Sequence, residues 1–234
     1  MRLVLFDIDG TILVARGAGR RALAVALKDV YGTAGNIDGY DLRGQTDPRI
    51  VHDLMEGAGL EREAVRDRLD DCFEAYVRGL AAEIGDGRAV VTLPGIADLV
   101  RRLHDHGEVL LGLLTGNIEA GARIKLAPTG LLPYFRLGAY GSDHDDRRQL
   151  PSLAARRAHA LIGVPLAPDQ VVVIGDTPRD IECARHFGAV AVAVATGQYS
   201  REALEAESPD LLFENFADVE TALAKLLLPW PAKG

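Results

Sequence analysis

Lysine is scarce in this chain. Only four occur, at positions 28, 125, 225 and 233, among 26 basic residues in 234. No basic run is longer than two residues and the formal net charge is −8, so nucleic acid is not an expected partner. A small anionic substrate stays compatible, because a few local arginines and a metal outweigh a global field. Cysteine is rarer still. Cys72 and Cys183 stand alone, in no CxxC or Cys/His cluster. That excludes a disulfide scaffold and fits small core residues in a reducing cytoplasm. Long apolar runs are missing too. Ala189 to Ala195 is strand-sized rather than membrane-spanning. Asp7 and Asp9 interrupt the first apolar stretch, so no signal peptide and no membrane partner are expected.

What is present is βα alternation. Apolar runs predict strands at Leu3–Phe6, Val109–Leu114, Leu137–Tyr140, Val171–Ile174, Val190–Val194 and Leu211–Phe213. Helical stripes lie between them. Ile96, Leu99, Val100 and Leu103 mark one before Gly107; others run over Pro151–Ile162 and Pro178–Phe187. Val219, Ala222, Leu223 and Leu226 mark a last helix, with Trp230 beyond it as an expected C-terminal anchor. The pattern implies an α/β fold with a doubly wound, mainly parallel sheet.

One connection is far too long for a simple crossover. Residues 15–91 separate the first strand from the helix near Pro94. They carry three stripes: Leu23, Ala26, Leu27, Val30 and Tyr31; Ile50, Val51, Leu54 and Met55; and Val65, Leu69, Cys72, Phe73, Tyr76 and Leu80. Asp47 reads as the N-cap of the second, with Pro48 first in the helix. The expectation is an all-helical inserted cap over 15–91, with hinges near Ala15–Gly17 and Gly85–Thr92, on a core formed by 1–14 and 92–234.

Four loops follow apolar strands, and parallel strands place them on one sheet edge. The first holds Asp7 and Asp9. Side chains at i and i+2 of an extended segment leave on the same side, so both carboxylates can face one ligand. Like charges that close need a cation or a shared proton. The second loop is Thr115-Gly116-Asn117, a hydroxyl followed by backbone N–H groups before a helix, where an anion is favoured. The third is Asp143 to Arg148. The fourth is Asp176-Thr177-Pro178-Arg179-Asp180. Together they suit phosphoryl transfer at a hard-metal site.

With DIDGT, LLTGN and IGDTPRD in order at strand ends, the chain resembles the haloacid dehalogenase-like (HAD) superfamily of phosphohydrolases. The Gly95–Asn117 stretch and the segment IGDTPRDIECAR look most like its phosphoglycolate-phosphatase-like branch. The resemblance implies a Rossmann-like core with a C1 cap. It implies Asp7 as nucleophile through an aspartyl-phosphate, and Mg²⁺ held by the Asp7 carboxylate, the Asp9 backbone carbonyl and the Asp176 carboxylate. Asp9 suits a general acid that then activates water. Asp180 either joins the ion, directly or through water, or orients the third-motif cation. Thr115, Gly116 and Asn117 would bind the phosphoryl oxygens, with Asn117 also a candidate to hold Asp9 or the leaving group.

The third motif departs from the family, which usually has Lys there. No lysine falls in this loop, so Arg147 or Arg148 must supply the charge. Counting back from Pro151 favours Arg148; Asp-Arg-x-x-Leu favours Arg147, which is preferred. In the cap, Arg43, Gln45 and Thr46 are the candidate specificity residues, with Arg16 and Arg20 behind them. Thr46-Asp47-Pro48 could equally be simple helix capping.

The expected function is a Mg²⁺-dependent phosphatase of a small phosphomonoester. A phosphomutase shares the whole catalytic set. A phospho-accepting signalling module would lack the long insertion after its first strand. A dehalogenase needs no Asp9, and a phosphonate hydrolase needs a cap lysine where only Lys28 occurs. Substrate identity and oligomeric state are not written in these motifs.

Overall fold

The computed structural model describes residues 1–228. Trp230, expected to anchor the C-terminus, lies outside them. Six strands form one parallel sheet: β1 (Arg2–Phe6), β4 (Val109–Thr115), β5 (Leu137–Tyr140), β6 (Val171–Gly175), β7 (Val190–Val194) and β8 (Leu211–Phe213), in the order β5-β4-β1-β6-β7-β8. Two short strands, β2 (Leu13–Val14) and β3 (Val91–Thr92), pair antiparallel.

The sheet is buried on both faces, as parallel sheets must be. Alternation along β1 sorts its side chains: Leu3 and Leu5 join one apolar cluster, Val4 and Phe6 the other. The chain winds outward from β1 on one side to β4 and β5, then returns to β6 on the other. The strand order therefore reverses at β1, and the crevice at its C-terminal end is the favoured ligand position. Asp7 follows β1 directly.

Among the described residues ten α-helices accompany the strands. Four lie in the insertion: α1 (Ala18–Tyr31), α2 (Asp47–Gly57), α3 (Arg62–Arg66) and α4 (Leu69–Ile84). Core helices are α5 (Ile96–Asp105), α6 (Glu119–Leu126), α7 (Leu150–Ile162), α8 (Pro178–Phe187), α9 (Arg201–Ala206) and α10 (Val219–Leu227). Apolar stripes of α1 and α4 face each other; Gly79 lets the helices approach at Ala22. The insertion leaves and rejoins the core beside the β2–β3 pair, a two-stranded stem that the apolar pattern did not announce.

Two local expectations need correction. The third stripe is not one helix: Val65 lies on α3, and the chain departs from helical angles at Arg68 before α4 begins. The Val65 carbonyl instead accepts a hydrogen bond from the Tyr31 hydroxyl at 2.9 Å. The N-cap of α2 is Thr46, not Asp47: the Thr46 hydroxyl accepts from the Arg49 N–H at 3.4 Å. Asp47 is the first helical residue, and its carboxylate serves a contact with the core.

Candidate active site

The C-terminal ends of β1, β4 and β6 and the loop after β5 meet at one crevice, and the insertion closes over it. A cavity of about 390 Å³ lies between them. Asp7, Asp9, Thr115, Gly116, Asn117, Arg147 and Asp176 line it from the core; Arg43, Gln45 and Tyr76 line it from the insertion.

The floor is acidic. Carboxylate oxygens of Asp7, Asp176 and Asp180 lie within 4.8 Å of one another, and all three residues are buried. Asp7 is fixed by its backbone N–H donating to the Ile174 carbonyl at 2.9 Å. Asp176 accepts from the Thr11 hydroxyl at 3.3 Å. Gly10 and Gly197 leave room for it: a Cβ would lie 2.3 Å and 1.7 Å from Asp176 Oδ2, respectively. Asp180 lies in the first turn of α8 and accepts from the Thr177 N–H at 3.0 Å and the Thr177 hydroxyl at 2.7 Å.

Arg147 answers this charge. Its guanidinium sits 3.2 Å from Asp7 Oδ1, pairs closely with Asp180 Oδ1, and donates to the Gly44 carbonyl at 3.3 Å. Burial works against its charge, but Asp180 and Asp7 more than offset this and raise its pKa. One cation does not balance three acids. Burial pushes the Asp7 carboxyl up to about 7, with Arg147 pulling it down and Asp180 and Asp9 adding to the rise. Asp176 is pushed well above the carboxylate range by burial and then by Asp180 and Asp7. An all-oxygen cluster with surplus negative charge has the chemistry of a hard divalent cation site.

Asp9 is held apart from the cluster. Its Oδ2 accepts from Asn117 Nδ2 at 2.8 Å and from Lys125 Nζ at 2.7 Å. Asn117 also donates to the Thr115 hydroxyl at 2.8 Å.

The loop before α2 is latched onto the core. The Asp47 N–H donates to the Gly116 carbonyl at 2.7 Å, and the Asp47 carboxylate accepts from the Ile118 N–H at 2.8 Å, just ahead of α6. Arg179 donates to the Arg43 carbonyl at 2.8 Å. Gly44 has φ 67°, and a Cβ there would lie 2.6 Å from the Thr177 hydroxyl, so this approach requires glycine.

Comparison with known proteins fits this arrangement. A family model described as HAD-hydrolase-like matches residues 148–219. A phosphoglycolate phosphatase from Synechococcus elongatus is 28% identical over 97% of this chain and 99% of its own. Among solved structures, β-phosphoglucomutase from Clostridium difficile superposes with TM-score 0.69 at 18% identity, over 97% of this chain and 96% of its own. CbbY from Rhodobacter sphaeroides, in complex with phosphate, gives TM-score 0.69 at 20% identity, over 94% and 96%. The chain is thus similar to a family described as HAD-hydrolase-like over residues 148–219 and to a phosphoglycolate phosphatase over nearly its whole length, and it shares the fold of both solved structures.

The expected cation and cap residues divide between those that line the cavity and those that do not. Arg147 enters the site; Arg148 does not. Arg148 is half exposed, bonds to Asp146 at 2.8 Å and does not line the cavity. The short turn Arg147–Gln149 precedes α7, and its side chains diverge. In the cap, Arg43 lines the cavity but is engaged by Asp41 at 2.6 Å and lies over the Tyr199 ring. Gln45 lines it while donating to the Tyr40 hydroxyl at 2.8 Å. Thr46 does not line it; its hydroxyl donates to the Asp145 carbonyl at 2.6 Å. Arg20 is tied to the Ile37 and Tyr40 carbonyls.

Lys125, Asp47, Tyr76 and Thr11 were missed at this site. Lys125 did carry a signal. It interrupts the buried stripe Gly121, Ala122 and Leu126 of α6, where a charge is costly without a partner.

Proposed function

We propose that this protein is a Mg²⁺-dependent phosphatase of small phosphomonoesters. One observation carries the reading: a buried trio of carboxylates, two of them bridged by one arginine, beside a separately held fourth acid, on the floor of a cavity between the core and the insertion. The Asp7 and Asp176 carboxylates and the Asp9 backbone carbonyl would hold the ion. When bound, it would neutralise charge on the floor and on the phosphoryl group.

The rest of the chemistry belongs to the chain. A carboxylate oxygen of Asp7 attacks phosphorus, giving an aspartyl-phosphate. Arg147 steadies the phosphoryl oxygens, steered by Asp180. With hydrogen bonds from Thr177 and Arg147, Asp180 is better placed for this than for holding the ion. The Thr115 hydroxyl and the Gly116 N–H supply further donors, joined by the Asn117 N–H, which here donates to the Thr115 hydroxyl at 3.3 Å. Asp9 protonates the departing oxygen, then takes a proton from the water that cleaves the aspartyl-phosphate. The cap excludes bulk water and contributes Arg43 and Gln45 to substrate choice.

The similarity to a phosphoglycolate phosphatase makes phosphoglycolate the first substrate to test. A panel of phosphomonoesters with and without Mg²⁺, read as kcat/KM, tests the reading. Turnover that EDTA abolishes and Mg²⁺ restores supports it. Absence of turnover on every ester, or turnover indifferent to EDTA, contradicts it.

A further inference from the structure

Lys125 is the buried lysine among the described residues, and the mechanism above gives it no task. A buried ammonium persists only where its hydrogen bonds are supplied. Here they come from two site residues: Asp9 Oδ2 at 2.7 Å and Asn117 Oδ1 at 2.6 Å. The cap roofs the group. A Cβ on Gly19 of α1 would lie 3.4 Å from Lys125 Nζ and 3.6 Å from the Tyr76 hydroxyl of α4.

The contacts form an ordered chain of constraints. An ammonium only donates, so the Asn117 atom facing it must be the amide oxygen. The Asn117 NH₂ is then forced toward Asp9 and Thr115, where it lies 2.8 Å from both acceptors. Asp9 Oδ2 thus meets two donors and no acceptor. When Asp9 is neutral, its proton can reside only on Oδ1. That oxygen accepts no hydrogen bond from the described residues, and the Asp9 side chain is 43% exposed toward the cavity.

We propose that Lys125 is a positioning residue: through Asn117 and directly, it makes Asp9 Oδ1 the atom that delivers the proton to the leaving group. This rests on the phosphatase reading. In the first step the Asp7–phosphorus bond forms, the ester P–O bond breaks, and the Oδ1 proton moves to the leaving oxygen. In the second, water attacks phosphorus, its proton goes to Asp9, and the Asp7–phosphorus bond breaks. Asp9 ends protonated, as it began.

The test uses leaving groups that differ in their need for a proton. An alkyl phosphate must have its oxygen protonated; 2,4-dinitrophenyl phosphate departs without help. For Lys125→Met, kcat/KM on the alkyl phosphate should fall by about 100-fold or more, the scale of general acid catalysis. On the dinitrophenyl ester it should stay within about 5-fold, since kcat/KM covers only the steps through the first phosphoryl transfer. Equal losses on both esters would show a merely structural lysine and overturn the proposal. Should Lys125→Met fail to fold, as judged by circular dichroism, Lys125→Gln carries the same test, because an amide can present its oxygen as readily as its NH₂ and no longer dictates which way Asn117 faces. Wild-type protein inactive on both esters with Mg²⁺ would overturn the phosphatase reading itself. Wild-type activity combined with an equal loss in the variant overturns the lysine's role alone.

Discussion

Asp47 offers a stability measurement with a sign fixed by its surroundings. Its carboxyl is buried at the first turn of α2 and accepts from the Ile118 N–H at 2.8 Å. Burial raises its pKa from 3.8 to about 6, against the opposing pull of Lys125 and that N–H. Below the lower value the group is protonated in folded and unfolded chains alike, and it adds no pH-dependent cost. Above the upper value it is ionised in both, and the folded state bears the full cost. The contribution to stability is therefore lost as pH rises between these values. At about 1.4 kcal/mol per pH unit the gap is worth roughly 3 kcal/mol, of which roughly 2 kcal/mol falls between pH 4.5 and 7.5. Asp47→Asn keeps an acceptor for Ile118 but cannot ionise. Urea unfolding of both proteins at several pH values checks the difference directly, since all other titrations cancel. The stability of the variant relative to wild type should rise by roughly 2 kcal/mol over that range. A difference that is flat, or that falls with pH, would refute the assignment of a costly buried carboxylate.

Arg147→Ala should lower kcat/KM by about 100-fold or more and destabilise the fold by about 3–5 kcal/mol, because it strands buried acids. Arg148→Ala should stay near wild type in both assays, since its partner Asp146 lies outside the cavity; a larger kinetic loss for Arg148→Ala would reverse the assignment. Thr46→Val should cost about 1–2 kcal/mol in thermal or urea unfolding, because it removes both the α2 cap and the bond to the Asp145 carbonyl.

The sheet was readable from sequence because each strand is an apolar run ending in polar residues. Leu137–Tyr140, Val190–Val194 and Leu211–Phe213 form strands over those same residues. The β2–β3 stem was not readable. Leu13–Val14 and Val91–Thr92 are two residues long, and their pairing depends on the insertion bringing distant chain together. The placement of Asp7, Thr115, Asp176 and Asp180 together was legible because Thr115 ends a strand and the acids lie within a few residues of strand ends that the topology brings to one edge. Between Arg147 and Arg148 the sequence offered two registers and a preference for Arg147; in space the neighbours on a short turn part, Arg147 entering a buried acid cluster and Arg148 returning to Asp146. Lys125 was hidden by a rule that is usually sound. Lysines on helices usually face water; this one sits on the buried stripe of α6 with Ala122 and Leu126, and the tertiary approach of Asp9 and Asn117 supplies the partners that hold it there. Asp47 was misread for a similar reason. An acid before proline suggests a cap, yet its partner lies across the cap–core boundary at Ile118.

Covalent capture is the most direct test of the central claim. Wild-type protein is mixed with Mg²⁺ and a good phosphomonoester substrate, quenched in acid within the first turnover, and digested for mass spectrometry. One phosphoryl group, labile to hydroxylamine, should appear on the N-terminal peptide at Asp7. Phosphate released through that turnover with no label on the protein, or with the label on another residue, would contradict the account.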